Sequence, residues 1–116
     1  MAAAIDIVKL TGRIFVLGEK KNIGLWNIHR RDDADLTGIT ATVTIFDSVG
    51  NTTLAATAMT MAGSGTPYMS ATYLLTTGSG QTITAAGTYR AIYTVTYGSE
   101  VQIWEQALLV NANPFT

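Results

Sequence analysis

Strict alternation of apolar and hydroxyl-bearing side chains is the feature that most restricts how this chain can fold. Residues 40–47 alternate threonines with alanine, valine and isoleucine, and a period of two recurs in residues 68–77 and 88–97. Because successive side chains of a strand point to opposite faces, each segment is predicted to be a strand with one buried face. The predicted inward residues are Ala41, Val43, Ile45, Met69, Ala71, Tyr73, Leu75, Tyr89, Ala91, Tyr93, Val95 and Tyr97.

The last two strands are predicted to form a hairpin. Residues 88–97 and 100–111 are joined by a Gly-Ser pair, a two-residue turn of the kind that tight hairpins use. In the returning strand the apolar residues first occupy odd positions, Val101 and Ile103, and then even positions, Trp104, Leu108 and Val110. A β-bulge near Glu105 is predicted, because an extra residue there would bring both sets to the same face of the sheet.

The rest of the chain supplies weaker strand signals separated by turn residues. The further strand candidates are residues 5–10, 13–17, 22–30 and 52–61. A helix is the alternative in the N-terminal third, but the glycines there disfavour one. The Gly-rich residues 63–67 and 78–80 are interpreted as hairpin loops, because no phosphate-binding motif follows them.

About seven short strands, with turns every 8 to 12 residues or so, predict an all-β fold. We expect an antiparallel immunoglobulin-like β-sandwich in a single domain that spans residues 1–116. Tyr89 lies at the start of the penultimate strand, where such sandwiches have a tyrosine corner whose hydroxyl bonds back to nearby backbone. The alternative is that Tyr89 is a half-buried aromatic residue on a strand.

Charge is sparse and unevenly distributed along the chain. Hydrophobic residues make up 47% and charged residues 13%, and only Asp47 and Arg90 are charged between residues 36 and 99. This composition excludes a disordered chain, and a net charge of −1 gives no basic footprint for nucleic acid or an acidic membrane. No apolar run approaches the roughly 20 residues of a membrane helix, and no signal peptide is recognisable. The expected partners therefore include neither nucleic acid nor a membrane.

Catalytic and metal-binding patterns are missing from the sequence. The chain has one histidine, His29, and no cysteine, which excludes a disulfide framework and a His-rich or thiolate metal site. Residues 33–38 imitate the opening of a calcium-binding EF-hand loop, but position 12 of that loop is Thr44 instead of glutamate. We therefore expect no catalytic residue, no metal site and no cofactor.

A mixed-charge turn and two tryptophans are the remaining candidates for a contact with another molecule. The turn consists of Arg30, Arg31, Asp32, Asp33 and Asp35. It is interpreted either as a solvated loop tip with weak ion pairs or as a partner contact. The tryptophans, Trp26 and Trp104, are either core residues or stacking platforms for a sugar.

An acidic-Leu-Thr-Gly turn at residues 35–38 leads into the alternating strand at residues 42–47, and Gly50 follows. Later segments of the same pattern are residues 86–91, 93–98 and 108–110. Over residues 13 to 111 the chain thereby resembles the N-terminal immunoglobulin-like domain of phage baseplate upper proteins.

The resemblance implies a domain without catalytic activity that anchors a larger organelle in the virion. The chain ends at Thr116 without a helical stalk, so a small stand-alone virion protein is expected. We expect a non-enzymatic structural or interaction protein of a tailed-phage virion, as a capsid decoration, neck, tail or baseplate component. It would be made in the host cytoplasm, contact other virion proteins and occur as a homo-oligomer or in repeated copies. The alternative is a carbohydrate-binding β-sandwich module.

Overall fold

The computed structural model describes residues 5–6, 12–30, 38–62 and 68–114, which form strands and connecting turns without a helix. No helix in this described part is long and apolar enough to cross a membrane. In chain order the strands are β1 (Ile5–Asp6), β2 (Arg13–Val16), β3 (Lys20–Arg30), β4 (Thr40–Asp47), β5 (Thr52–Ala58), β6 (Thr60–Ala62), β7 (Tyr68–Thr76), β8 (Gly87–Tyr97) and β9 (Glu100–Asn111).

The strands form two sheets, which confirms the predicted all-β sandwich. One sheet has four strands in the order β1-β3-β7-β6, and the other has five in the order β2-β9-β8-β4-β5. Among the described strands, all pairings are antiparallel except that of β2 with β9, which is parallel. This order corresponds to the two sheets of a seven-stranded immunoglobulin-like domain, with two additional strands in the larger sheet, β2 beside β9 and β5 beside β4.

The core consists of the inner faces of the two sheets. Ala41, Val43 and Ile45 of β4 are almost completely buried, whereas the threonines between them are not. The same alternation holds in β7 and β8, so the predicted inward residues of these strands are confirmed. The largest fully buried side chains are Tyr93, Phe15, Ile23, Leu25, Ile28, Ile45, Leu75, Ile83, Leu108 and Val43.

The β8–β9 hairpin is the longest pairing in the fold, and its register is unbroken. Partners run without a shift from Gly87 opposite Val110 to Tyr97 opposite Glu100. The predicted hairpin is therefore confirmed, but the predicted bulge near Glu105 is wrong. The even-numbered residues of β9 face the core along its whole length, and the odd-numbered residues face outward.

Two connections differ from the sequence-based expectation. Residues 52–61 were expected to form one strand, but the chain changes sheets at Met59, whose backbone N–H donates to the carbonyl of Ala41 at 2.9 Å. The loop at residues 78–80 is not a hairpin loop, because the strands before and after it belong to different sheets. The hairpin loop predicted at residues 63–67 lies outside the described residues, although β6 and β7 on either side of it do pair.

Strand β3 contains an irregularity that only special backbone conformations accommodate. Its register against β7 shifts between Leu25 and Ile28, and Asn27 has a positive φ of 58°. Gly24 has a φ of 154°, and a Cβ atom there would lie 1.9 Å from the carbonyl oxygen of Ala71. Glycine is therefore required where β3 lies against the backbone of β7 at Ala71.

Candidate interaction surface

The surface of the five-stranded sheet that faces away from the core is the strongest candidate for a functional site. We call this surface the outer face. It is formed by the outward residues of β9, the alternate residues of β8 and β4 that pair with them, and Ile14 of β2. Its principal members are Ile14, Thr40, Thr42, Thr44, Phe46, Thr88, Arg90, Ile92, Thr94, Thr96, Val101, Ile103, Glu105, Ala107 and Leu109.

Four large aliphatic side chains of the outer face are exposed to solvent. Val101 and Ile103 at the beginning of β9 are 57% and 69% exposed, and Leu109 near its end is 40% exposed. Ile14, which is 60% exposed, lies beside Leu109 in the parallel register of β2 and β9. The solvent side of an antiparallel sheet ordinarily carries polar side chains, so this apolar surface is typical of a contact with another molecule.

The outer face contains two charged side chains among its described members, and these two form an ion pair with each other. Nη1 of Arg90 lies 3.8 Å from Oε1 of Glu105, and both side chains are about half exposed. The guanidinium of Arg90 also lies 5.9 Å from the centroid of the Phe46 ring, within the range of a cation–π contact. The other outward positions of β4 and β8 carry threonine or apolar residues, so the face is nearly neutral.

Tyr89 makes the hydrogen bond that defines a tyrosine corner. Its hydroxyl donates to the carbonyl oxygen of Ala85 at 2.8 Å, four residues upstream, and the side chain is 8% exposed. Burial raises the pKa of the Tyr89 hydroxyl, and the nearby carboxylate of Asp47 raises it further. The bond ties the loop before β8 to the start of that strand.

A buried polar contact between Tyr93 and Gln106 was not predicted from the sequence. The Tyr93 hydroxyl donates to Oε1 of Gln106 at 2.6 Å inside the sandwich. Burial raises the pKa of the Tyr93 hydroxyl well above its usual value, and the positive charge of Arg13 opposes this shift. Gln106 occupies the same alternating positions of β9 as the inward residues Leu108 and Val110. This alternation was the sequence signal that Gln106 is buried.

The mixed-charge turn cannot be compared with its prediction. Arg31, Asp32, Asp33 and Asp35 lie outside the described residues, and Arg30 is described only as the last residue of the β3 backbone. The partner contact predicted for this turn therefore stays a prediction.

The single histidine, His29, lies on β3. Nδ1 of His29 is 3.1 Å from the carbonyl oxygen of Asn27, and the side chain is half-buried. Among the described residues, no group of three or more His, Cys, Asp or Glu side chains is placed to hold a metal ion. The EF-hand-like segment at residues 33–38 falls almost entirely outside this part of the chain.

The two tryptophans differ in their surroundings. Trp104 faces inward and packs against the core, and its Nε1 donates to Oε1 of Gln102 at 3.1 Å. Trp26 is 43% exposed and lies on the opposite sheet, next to the irregularity in β3. Of the two, Trp26 offers the more accessible ring for a ligand.

Comparisons with known proteins concern the fold. No protein-family model and no curated protein matches the chain. A chimeric titin Z1Z2 functionalized with a KLER peptide from decorin is 15% identical with a TM-score of 0.47, covering 96% of this chain and 98% of that chain. The CooA pilin subunit from enterotoxigenic Escherichia coli is 12% identical with a TM-score of 0.44, covering 96% and 98%.

A third similar structure is larger than this chain. It contains domains 4 and 5 of the S-layer protein SbsC and is 14% identical with a TM-score of 0.44. The match covers 95% of this chain and 52% of the other, so the chain spans about half of that structure. None of the three similar structures is described as an enzyme.

Proposed function

We propose that this chain is a non-enzymatic structural protein of a tailed-phage particle, held in place through the outer face of its five-stranded sheet. The observation that carries the proposal is the exposure of Val101 and Ile103 on a nearly neutral sheet face. The centres of protein–protein interfaces are depleted in charged residues, whereas their rims are polar. The outer face has the composition of such a centre.

The phage setting rests on the sequence. The acidic-Leu-Thr-Gly turn at residues 35–38 and the strand pattern that follows it resemble a phage virion domain. In the particle the chain is a capsid decoration or a component of the neck, tail or baseplate, and it contacts other virion proteins. Particles repeat their subunits under symmetry, and a modest interface used many times holds a subunit firmly through avidity.

Mass spectrometry of purified particles tests this proposal. Particles of the phage that encodes the chain are banded in a density gradient, and the chain is quantified against the major capsid protein. An abundant non-virion phage protein is the contamination control. We expect the chain in fixed stoichiometry with the capsid protein. Its absence from particles, with the chain free in infected cells, would contradict the proposal.

Carbohydrate binding is a second candidate because Trp26 is 43% exposed. An accessible indole ring can stack on the apolar face of a sugar. In this case a glycan array would detect binding that Trp26→Ala abolishes. The matched control is Leu74→Ala, which alters another exposed residue of the same sheet and should leave binding unchanged.

A further inference from the structure

We propose that the four-stranded sheet carries a binding site for a neutral sugar on its solvent side, at the bulge of β3. We call it the bulge site, and it consists of Trp26, Asn27, Ser70 and Thr72. The inference rests on the carbohydrate-binding candidate above and names the residues and the ligand class of that site. It is carried by the geometry of the bulge, by the backbone conformation of Asn27 and by the chemistry of the surrounding side chains.

The bulge turns two successive side chains of β3 toward solvent. Between Leu25 and Ile28, which are both fully buried, β3 has two residues where the facing strand β7 has only Ser70. These two residues are Trp26 and Asn27, and both are exposed. Neighbouring residues of a regular strand point to opposite faces. The bulge therefore brings an indole ring and a carboxamide together on one face of the sheet, opposite Ser70.

The sandwich core does not require this bulge. With one residue fewer between them, Leu25 and Ile28 would still both face inward, because strand side chains alternate with a period of two. The bulge instead makes the backbone less favourable, since Asn27 has a φ of 58°, in the left-handed region that a Cβ atom disfavours. Strained residues persist where the surrounding structure enforces them, and both they and bulges are concentrated at functional sites. The bulge is therefore explained by the exposed pair of side chains and not by packing.

Small residues surround the indole ring of Trp26. They are Gly24 on the same strand, Ser70 and Thr72 on β7, and Thr60 and Ala62 on β6. Ser70 and Thr72 are half-buried, so they form a low floor beside the more exposed ring. From β3 across β7 to β6 this floor is about 10 Å wide. A protruding aromatic ring beside a hydroxyl-lined floor fits a sugar, which has C–H groups on the faces of its ring and hydroxyl groups around the rim.

The chemistry of the bulge site favours a ligand without charge. At the outward positions that the structure describes around it, there is no Asp, Glu, Lys or Arg. Toward the beginning of β3, the first outward charged residue is Lys20, about 20 Å from Trp26 along the strand. A phosphate, sulfate or carboxylate group therefore gains no charge-assisted hydrogen bond from these positions. The amide of Asn27 and the hydroxyls of Ser70 and Thr72 can both donate and accept, as the hydroxyl groups of a neutral sugar require.

Glycan binding by the complete chain, followed by NMR, tests the inference. On an array of neutral, sialylated and sulfated glycans, we expect neutral glycans to be bound preferentially. The best-bound neutral oligosaccharide is then titrated into isotope-labelled protein. The chain has two tryptophans, so its spectrum has two indole N–H signals. The signal of Trp26 should shift during the titration, whereas that of Trp104, which packs against the core, should not.

Two glycine substitutions on β3 separate binding from folding. Asn27→Gly removes the carboxamide but suits the positive φ. It should weaken binding about two- to tenfold, while the chain unfolds at the same or a higher urea concentration. The matched control is Asn22→Gly, at an exposed position of the same strand without a positive φ, which should lower the unfolding midpoint and leave binding unchanged. Trp26→Ala should weaken binding more than about tenfold.

Binding of no neutral glycan, a preference for charged glycans, a Trp26 signal that does not move, or an Asn27→Gly variant that binds as the wild type does would overturn the inference. Failure of the bulge site is distinguishable from failure of the functions proposed above. Binding that Trp26→Ala abolishes and Asn27→Gly leaves intact contradicts the bulge site alone and supports the carbohydrate-binding candidate. The particle proposal is independent of this outcome, because the outer face and the bulge site belong to different sheets. A chain that binds sugar through Asn27 but is missing from particles contradicts the particle proposal alone.

Discussion

The inner and outer faces of the five-stranded sheet are built from the same strands, yet they place similar side chains in opposite environments. Leu108 and Leu109 are neighbours on β9, and Leu108 is fully buried while Leu109 is 40% exposed. Ile45 on the inner face has no exposed surface, whereas Ile103 on the outer face is 69% exposed. The comparison teaches that the apolar residues of this sheet fall into two groups. One group packs against the other sheet and forms the core, and the other group lies on the outer face, where no element of the described chain covers it.

Truncation of the two neighbouring leucines should give the largest difference between the faces. Leu108→Ala should lower the free energy of unfolding by about 2 to 5 kcal/mol, because it leaves a cavity in the core. Leu109→Ala in the monomer should change it by about 1 kcal/mol or less, since solvent already reaches the side chain. Urea unfolding at low protein concentration measures both. Equal losses in the two variants would contradict the assignment of the faces.

The buried Tyr93–Gln106 contact should give the next largest effect. Tyr93→Phe keeps the ring but removes the donor to Oε1 of Gln106, at an expected loss of about 1 to 3 kcal/mol. Tyr93→Phe combined with Gln106→Leu should recover part of the loss, because both polar partners are then replaced by apolar groups. Urea unfolding of the single and double variants measures the coupling. A Tyr93→Phe variant as stable as the wild type would mean that water reaches this part of the core.

The same tyrosine predicts loss of stability at alkaline pH. The pKa of Tyr93 is raised in the folded protein, so the unfolded chain loses this proton at lower pH than the folded chain does. The contribution of Tyr93 is complete below the ordinary tyrosine pKa of about 10, and it declines as the pH rises above that value. Unfolding free energy measured between about pH 9 and pH 11 should fall less steeply for Tyr93→Phe than for the wild type. Identical slopes would contradict the burial of this hydroxyl.

The tyrosine corner should contribute less than the Tyr93 contact. Tyr89→Phe removes the bond to the carbonyl of Ala85, which belongs to an exposed residue that water can reach. We therefore expect the free energy of unfolding to fall by about 1 kcal/mol, at the lower end of the range for a hydrogen bond left unmade. Urea unfolding of the variant and the wild type measures this difference. An unchanged free energy of unfolding would mean that the hydrogen bond to Ala85 contributes no more than a hydrogen bond to water.

The strands could be predicted from the sequence wherever one face is buried and the other is polar. Residues 40–47 and 88–97 alternate without interruption, and the structure has strands there with the expected residues inside. The returning strand was harder to interpret because apolar residues occupy both of its faces. Val101 and Ile103 broke the period of two, and a bulge was inferred where the register is in fact continuous. The apolar residues at positions 101 and 103, which were interpreted as evidence of a bulge, in fact indicated an exposed apolar surface.

Connections between the sheets could not be predicted from local patterns. Glycine-rich residues indicate a turn, but they do not indicate whether the following strand joins the same sheet. The loop at residues 78–80 therefore looked like a hairpin loop, although it leads from one sheet to the other. The change of sheets at Met59 could not be predicted either, because Met59 continues a run of strand-forming residues. Only the packing of the two sheets divides this run into β5 and β6.

Hydroxyl-radical footprinting of the isolated protein and of purified particles tests most directly whether the outer face is a contact surface. The inner residues Leu108 and Val110 should be protected in both samples, and Leu74 on the other sheet should be reactive in both. Val101 and Ile103 should be reactive in the isolated protein and protected in particles, because a neighbouring virion protein then covers them. Continued reactivity of Val101 and Ile103 in particles that contain the chain would contradict the claim that the outer face is the contact surface.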